Sequence, residues 1–306
     1  MTRLVRRLAR RLAIPALLSL AALPLAAATP PPVERDLLDR LRLEIEREAA
    51  ALDGIAGVFV EDLTSGATIA LAADQLFPQA SAIKLPILWE LLARADEGTI
   101  DLDRRAPRPV AAGMGGILDN LSPAVELSAR DLAVLMIAAS DNGATNELID
   151  RLGMERVTAR MASLGLGETR LRRKMLDGEG ARSGRENVST PRQMAALAAR
   201  LHRGEGLSAA GHAEARRLLG IWSSDPFRAG VGEGAAAVFE KPGELPGVRT
   251  SVAWVELPGR AYAVAISTAA LAADVDGDAF VTRLSRAIYR TFDRLARMNE
   301  VGRFVD

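Results

Sequence analysis

The order of the predicted secondary structure constrains this chain more than any other feature of its sequence. Five segments have the composition and spacing of β-strands: 54–63, 68–71, 236–240, 248–256 and 260–267. The first two are joined by Thr64-Ser65-Gly66, which is typical of a hairpin turn. Because an isolated hairpin is marginally stable, we expect the early and late strands to form one antiparallel sheet of about five strands.

Helices are predicted before, between and after these strands. Apolar residues or helix-start signals mark the segments 33–52, 81–95, 128–139, 144–152, 154–164, 191–202, 208–219 and 278–297. We expect the two terminal helices to pack on the sheet. The predicted fold class is therefore α+β, with an α/β lobe at about 33–90 and 205–300. An inserted all-α lobe at about 91–204 leaves a cleft between the lobes, where a site is expected.

The first 28 residues differ from the rest of the chain. Five arginines without an acid are followed by an apolar run, 12–25, and by Ala26-Ala27-Ala28. This pattern is typical of a secretory signal peptide, since the apolar run is short for a membrane-spanning helix. We therefore expect a secreted or periplasmic domain, 29–306, that has no membrane contact after leader cleavage. An uncleaved anchor is the alternative, and the export route stays open.

Composition excludes several kinds of chemistry. The chain has no cysteine and only two histidines, His202 and His212, so we predict no metal and no cofactor. Outside the arginine-rich leader, acidic residues outnumber basic ones, which argues against a nucleic-acid partner. The expected state is a monomer that acts on a small substrate.

Lysine is rare in this sequence. Only Lys84, Lys174 and Lys241 occur among 39 basic residues. Arginine cannot release its proton in a protein, whereas a desolvated lysine can. Each lysine is therefore a candidate for proton chemistry, although a coding bias toward arginine also explains the low number.

Ser81 and Lys84 stand three residues apart at the start of a predicted buried helix. This spacing places both side chains on one face of the helix. A neutral amine there can take the proton of the serine hydroxyl, which is otherwise a weak nucleophile. The helix N-terminus and the Ser81 backbone N–H would favour the developing anion. Taken alone, the pair is also compatible with a helix cap beside a lysine that reaches solvent.

Two further short segments carry matching residues. In Ser140-Asp141-Asn142, the serine can relay a proton to a leaving nitrogen and the asparagine can bind a substrate amide. We expect Asp141 to support the turn. In Lys241-Pro242-Gly243, the lysine adds a cation that attracts an anionic substrate, and the glycine lets a substrate backbone approach the strand. Taken singly, the segments also fit a helix junction and a strand-to-turn exit.

Together, the three segments resemble the motif set of the class A β-lactamases and their relatives among the penicillin-binding proteins. The resemblance covers nearly the whole chain after the leader, and Asn146 and Thr190-Pro191 match the family pattern as well. It implies a serine acyl-enzyme mechanism. The implied catalytic residues are Ser81, Lys84, Ser140 and Lys241. The residues predicted to bind the substrate are Asn142, Gly243, Glu244 and Arg249.

The third motif departs from the family pattern. Pro242 stands where the family carries threonine or serine, so a hydroxyl that would bind the substrate carboxylate is missing. Arg249 on the next predicted strand is the expected substitute for this anion contact.

The irregular segment 165–190 differs from the family pattern to a greater extent. Class A enzymes carry a glutamate there that activates the deacylating water, and counting along this chain places the position on Met175 or Lys174. Neither is an acid. Asp177 and Glu179 are the nearest carboxylates and are the candidates for deacylation. Without a general base, the acyl-enzyme should hydrolyse slowly.

The leading prediction is a β-lactamase-type serine hydrolase that opens the β-lactam amide through a Ser81 acyl-enzyme. A D-alanyl-D-alanine peptidase acting on peptidoglycan stems uses the same nucleophile. An acylation-only penicillin-binding sensor and a general secreted esterase are the remaining alternatives. The missing loop glutamate favours a slow lactamase, the peptidase or the sensor over a fast lactamase.

Overall fold

A computed structural model describes residues 31–108, 114–221 and 224–305. The predicted leader, 1–28, lies outside the described residues. Across the described ranges, none of the helices combines the length and the apolar character that crossing a bilayer requires.

One antiparallel sheet organises the molecule. In chain order the strands are β1 Ile55–Asp62, β2 Thr68–Leu71, β3 Phe77–Pro78, β4 Ala106–Pro107, β5 Glu126–Leu127, β6 Val188–Ser189, β7 Ala237–Leu245, β8 Val248–Leu257 and β9 Arg260–Ala269. The main sheet has the order β2-β1-β9-β8-β7 with antiparallel neighbours throughout. This confirms the predicted five-stranded sheet, because β1 of the first hairpin pairs directly with β9 from the end of the chain. The pairs β3–β6 and β4–β5 form two small additional ladders.

Helices cover both faces of the sheet. In chain order they are α1 Pro32–Ala50, α2 Lys84–Asp96, α3 Ile117–Asn120, α4 Ala129–Ala138, α5 Asn142–Leu152, α6 Met154–Ser163, α7 Gly178–Arg182, α8 Pro191–Arg203, α9 Ala209–Leu219, α10 Pro226–Val231 and α11 Asp274–Arg297. The terminal helices α1 and α11 pack on each other, α1 against β2 and α11 against β8 and β9, as predicted. Helix α8, which the predicted boundary placed in the all-α lobe, packs on β1, β8 and β9.

Alternation along the strands divides the interior into two cores. Val58 and Val60 face the core shared with α1, α10 and α11, whereas Phe59 between them faces the core built from α2, α4, α5, α6 and α8. Successive strand residues point to opposite faces, so one strand serves both cores. The sheet is therefore a buried middle layer, and the cleft opens at its β7 edge.

The structure corrects the predicted turn at Lys241-Pro242-Gly243. These residues lie inside β7, which continues to Leu245, and the chain reverses at Pro246-Gly247, where Gly247 has a φ of +73°. Strand β7 is an edge strand of the main sheet. An edge strand tolerates proline because one row of its backbone groups has no ladder partner.

The start of the first buried helix also differs from the prediction. Ala80–Ile83 forms a 3₁₀ turn, and α2 itself begins at Lys84 rather than at Ser81. Pro86 therefore lies in the first turn of α2, where its missing N–H has no helical partner to lose. No kink is needed to accommodate it.

Ser128 caps helix α4 as its sequence predicts. Ser128 accepts a hydrogen bond from the Asp131 backbone N–H and donates its own backbone N–H to the Asp131 carboxylate, which forms the predicted capping box of α4. The helix at the end of the chain starts at Asp274, four residues before the predicted position. The short helices α3, α7 and α10 were not predicted, because segments of four to six residues carry little periodic signal.

Candidate active site

Ser81 lies on the 3₁₀ turn that precedes α2, at the mouth of the cleft. The turn is entered through Ala80, whose φ of +45° is uncommon for a residue with a side chain. Strand β8 supports this entry, because the Thr250 hydroxyl donates a hydrogen bond to the Gln79 carbonyl at 3.1 Å. Gly243 packs against the same turn so closely that a Cβ there would stand 2.7 Å from the Ser81 nitrogen. The glycine of the third motif therefore permits β7 to approach the nucleophile.

Ser140 lies at the junction of α4 and α5 with a φ of +52°, another left-handed conformation. Non-glycine residues in this region are strained, and such strain persists where the surroundings hold the residue in place. Asp141 supplies that support, since its carboxylate caps α5 through the Ala144 N–H and also accepts the Leu118 N–H, both at 2.8 Å. The aspartate thus holds the turn and presents Ser140 to the cleft.

The Lys84 amine joins the first two motifs. Its side chain is fully buried, and its Nζ donates to the Ser140 carbonyl at 2.6 Å, the Ser140 hydroxyl at 3.0 Å and Asn142 Oδ1 at 3.0 Å. Lys84 follows Ser81 by three residues along the same turn. All three contacts are with residues of the α4–α5 junction, and among the described residues the amine forms no hydrogen bond with the Ser81 hydroxyl.

The Lys241 amine brings the third motif to the same point. It is 1% exposed, and its Nζ donates to the Ser140 hydroxyl at 3.2 Å and to the Pro242 carbonyl at 3.0 Å. The Ser140 hydroxyl is thus shared by two lysine amines from opposite sides. A hydroxyl between two amines can pass a proton in either direction.

Burial sets the charge state of both amines. It lowers the pKa of Lys84 to about 6, the positive charge of Lys241 lowers it further, and the negative charge of Asp141 opposes the shift. Burial lowers the pKa of Lys241 to about 8, against the raising effect of the nearby carboxylates of Glu240, Asp225 and Glu244. Around neutral pH, Lys84 is therefore largely a neutral base while Lys241 keeps most of its positive charge.

The pH dependence of Ser81 acylation follows from these two values. Below pH 6 the Lys84 amine is protonated, so the acylation rate constant should fall about tenfold per pH unit. Between pH 6 and 8 it should be nearly constant, and above pH 8 it should decline as Lys241 loses the charge that attracts an anionic substrate. Intact-mass measurement of adduct formation between pH 4.5 and 9.5 checks this, and a flat profile down to pH 4.5 would contradict it.

The cleft encloses a cavity of about 440 Å³ that contains the predicted catalytic and substrate-binding residues apart from the Lys84 side chain behind its wall. Its lining includes Ser81, Ser140, Asn142, Lys241, Gly243, Glu244 and Arg249. The structure therefore brings together, in one place, residues that are separated by up to 168 positions in the chain.

Arg249 lies in the cleft wall, but its guanidinium already has partners. Its Nε is 2.6 Å from Asp278 Oδ1, and its Nη1 donates to the Leu245 and Val248 carbonyls at 3.2 and 2.9 Å. Asp274 lies 3.5 Å away as a second counter-ion. The arginine thus ties the β7–β8 hairpin to the start of α11, which leaves little capacity for a substrate carboxylate.

We expect Arg249→Ala to lower stability more than reactivity. The change removes a partly buried ion pair, so unfolding should require about 1 kcal/mol less free energy. The acylation rate constant should change less than about threefold, because the guanidinium is bound elsewhere. Chemical denaturation and adduct kinetics measure the two quantities. If a folded variant loses more than tenfold in acylation rate, the predicted contact between Arg249 and the substrate anion would be supported after all.

The irregular loop between α6 and α8 contains Met175, one of the two positions to which counting along the sequence assigns the family's glutamate. The Met175 backbone is held on both sides by the Asn146 amide, which donates to its carbonyl at 3.2 Å and accepts its N–H at 2.8 Å. The Met175 side chain is buried. Asn146 therefore has the predicted role of loop partner, and the residue it positions carries no carboxylate.

The two carboxylates predicted for deacylation lie further along this loop. Asp177 caps the short helix α7 through the Gly180 N–H at 2.8 Å, and Glu179 is exposed in that helix. Neither belongs to the residues that line the cleft cavity. Lys174 is bound to Asp150 at the surface, so it also contributes nothing to the cleft.

Sequence reasoning missed an acid beside Lys241. Glu240 is 5% exposed, accepts the Ser251 hydroxyl at 2.7 Å, and lies with Oε2 3.6 Å from Arg228 Nε. Burial, together with the neighbouring Asp225, raises the pKa of Glu240 well above its ordinary value. The adjacency of Glu240 to Lys241 was the available signal, since a glutamate in a buried strand needs a partner.

An antiparallel sheet flanked by helices defines the penicillin-recognising class of serine enzymes when its cleft holds a serine on a 3₁₀ turn and a second serine between two buried lysines. The sequence profile of the β-lactamase enzyme family matches residues 40–292. The chain belongs to this family. That result confirms the resemblance inferred from the three motifs.

Three relatives illustrate the similarity. The β-lactamase of Streptomyces albus G is 34% identical over 208 residues, and the match covers 61% of this chain but only 65% of that protein. The structure of PBP-A is 29% identical, with a TM-score of 0.76, over 84% of this chain and 97% of its own; a variant of it was solved as an acyl-enzyme complex with penicillin G. The β-lactamase from Sphaerobacter thermophilus is 29% identical, with a TM-score of 0.76, over 83% of this chain and 97% of its own.

Proposed function

We propose that this protein opens the β-lactam amide by forming an acyl ester on Ser81. One observation carries the proposal: the buried Lys84 amine, one turn from Ser81, is bound to Ser140 and Asn142 and lies beside the Lys241 amine. A base and a positive charge thus meet at the Ser140 hydroxyl, in the cleft that Ser81 also lines. The relatives support the same reaction, since one was solved as a penicillin G acyl-enzyme.

Acylation moves one proton from Ser81 to Lys84 and one from Ser140 to the leaving nitrogen. The neutral Lys84 amine accepts the proton of the Ser81 hydroxyl as the oxygen attacks the carbonyl carbon, and the oxyanion is stabilised by the Ser81 backbone N–H. As the amide C–N bond breaks, Ser140 gives its proton to the leaving nitrogen and recovers one from the Lys84 ammonium. The positive charge of Lys241 stabilises the Ser140 alkoxide that forms briefly during this proton transfer.

We infer that hydrolysis of the acyl ester is slow. The loop position held by Asn146 is occupied by Met175, so no carboxylate is positioned there to activate water. Asp177 and Glu179 act in deacylation only if a bound substrate draws the loop toward Ser81. A long-lived ester is the behaviour of a D-alanyl-D-alanine peptidase or an acylation-only sensor, and Met175 is the observation that favours these alternatives.

A chromogenic cephalosporin combined with intact-mass analysis tests the proposal. A mass adduct on Ser81 that persists for many minutes supports acylation with slow turnover, whereas sustained colour formation supports a lactamase with another deacylating group. Ser81→Ala should abolish the adduct and the colour change. Wild-type protein that forms neither adduct nor product would remove the proposed function altogether.

We further propose that the leader 1–28 is removed on export and that residues 29–306 act as a monomer in the periplasm or outside the cell. The basic, apolar and small-residue order of the leader supports export. N-terminal sequencing of the protein recovered from the periplasmic or culture fraction tests cleavage. Light scattering of the purified protein tests the monomer, and a concentration-independent dimer mass would contradict it.

A further inference from the structure

The 3₁₀ turn that carries Ser81 rests on one face of the main sheet. Residues that pair directly across an antiparallel ladder point to the same face. Beneath the turn and β3, such a row crosses β7, β8, β9 and β1, and its members are Gly243, Thr250, Ser267 and Gly57. A Cβ on Gly243 would lie 2.7 Å from the Ser81 nitrogen, and one on Gly57 would lie 2.5 Å from the Phe77 ring. This small-residue row therefore lets the turn and β3 lie directly on the sheet.

Thr250 binds the turn from within this row. Its side chain is buried, and its hydroxyl lies 3.1 Å from the Gln79 carbonyl oxygen and 3.3 Å from the Gly243 carbonyl oxygen. Because a hydroxyl has one proton to donate, the two carbonyls share it. The Gln79 carbonyl also accepts the Ala82 N–H at 2.9 Å, which is the bond that closes the 3₁₀ turn around Ser81. Thr250 thus joins the first carbonyl of the turn to β7.

The rest of Gln79 is bound to the other side of the turn. Its backbone N–H donates to the Asn187 carbonyl at 2.9 Å, and its Nε2 donates to the Phe77 carbonyl at 3.1 Å and the Ser189 carbonyl at 3.4 Å. These bonds fix the turn relative to β3 and β6, but not relative to β7. Among the described residues, the Thr250 hydroxyl is the hydrogen-bonding link between the turn and β7.

The separation between the turn and β7 sets where the nucleophile stands in the cleft. The turn is entered through the left-handed Ala80, a conformation that persists only where the surroundings hold it. A displaced turn would move the Ser81 oxygen and backbone N–H together, and a misplacement of about 1 Å can cost about 10²-fold in rate. We propose that Thr250 is a positioning residue, whose hydroxyl holds the turn at the distance from β7 at which Ser81 meets the acyl carbonyl. This inference rests on the proposed acylation of Ser81.

Thr250→Val tests this inference, because valine keeps the shape of threonine and removes the hydroxyl. The limiting rate constant for acylation by a chromogenic cephalosporin should fall about tenfold. The cephalosporin concentration that gives half of this rate should change less than about twofold, since Thr250 acts on Ser81 rather than on the ligand. Thr250→Ser keeps the hydroxyl and should recover about half of the wild-type rate constant or more. A merely structural threonine would lower the free energy of unfolding and leave the limiting rate constant unchanged.

Ser267→Ala is the matched control from the same small-residue row. Ser267 is buried opposite Thr250, and among the described residues its hydroxyl has no hydrogen-bond partner. Its removal should therefore change the limiting rate constant less than about twofold. Equal slowing in Ser267→Ala and Thr250→Val would show a general loosening of the sheet face and overturn the inference. A Thr250→Ser variant as slow as Thr250→Val would overturn it as well.

Two further comparisons keep the inference open to refutation. If Thr250→Val does not fold, Thr250→Ala and Thr250→Ser replace it, because these two variants differ only in the hydroxyl, and equal rate constants in them would overturn the inference. Unaltered acylation in Thr250→Val overturns this inference alone and leaves the proposed function intact. Wild-type protein that forms no Ser81 adduct overturns both.

Discussion

Replacing Met175 with glutamate is expected to shorten the lifetime of the Ser81 acyl-enzyme by about 10²–10⁴-fold, the usual contribution of a general base. The Met175 backbone is already fixed by two hydrogen bonds to Asn146, so the substitution changes the side chain without moving the loop. A carboxylate at this largely buried position has a raised pKa and can accept a proton from water.

The deacylation rate is measured by following loss of the mass adduct after removal of free β-lactam. Met175→Gln is the matched control, since it has a similar length and polarity but no basic carboxylate. The glutamate variant should deacylate far faster than both wild type and the glutamine variant. Equal rates in the two variants would show that the loop position does not reach the water, and Asp177 or Glu179 would then be the next residues to replace.

Lys84→Met is expected to lower the rate of Ser81 acylation by about 10²–10⁴-fold. Methionine matches the length of the lysine stem but cannot accept a proton. It also leaves the Ser140 carbonyl and Asn142 Oδ1 without their shared donor, which should lower the free energy of unfolding by about 1–3 kcal/mol. Acylation kinetics and denaturation separate the two effects.

Lys84→Arg is the companion variant, because it keeps a positive charge that cannot be lost. If Lys84 is the base, the arginine variant should be as slow as the methionine variant at every pH. If another group takes the first proton, the arginine variant should retain substantial acylation, with a pH profile that no longer breaks near 6. The second result would transfer the base role to a different residue.

The sheet was predictable because its requirements are simple. Two short strands near the start cannot be stable alone, and three strands near the end supply the missing partners, so β1 had to meet the late strands. The sequence could not give the register or the order β2-β1-β9-β8-β7, since many pairings bury similar apolar residues. Those features depend on the packing of both cores at once.

The errors at Lys241-Pro242-Gly243 and Ser81 share a cause. Proline and glycine are local signals for turns, but whether a strand continues through them depends on its place in the sheet. A 3₁₀ turn before a helix has the same apolar composition as the helix itself, so periodicity does not separate the two. In both cases the local conformation depends on segments that are distant in the sequence but pack against these residues in the fold.

For the candidate site too, the sequence indicated the residue types and the folded chain decided their surroundings. The sequence identified Ser81, Lys84, Ser140 and Lys241 as candidates because each residue type has a chemical role and the lysines are so few. It did not identify the acid beside Lys241 or the counter-ions of Arg249, and it did not distinguish Met175 from Lys174 as the loop residue that Asn146 holds. Each of these depends on groups from distant parts of the chain that meet only after folding.

The sequence by itself determined the fold class, the family and the set of candidate reactive side chains, because apolar spacing and residue chemistry are properties of the chain. Only the tertiary structure decided the charge and availability of those side chains. Burial lowers the pKa of the Lys84 amine to about 6, and an ion pair with Asp278 occupies Arg249. Burial and long-range pairing are properties of the folded molecule, and they set what each residue can do.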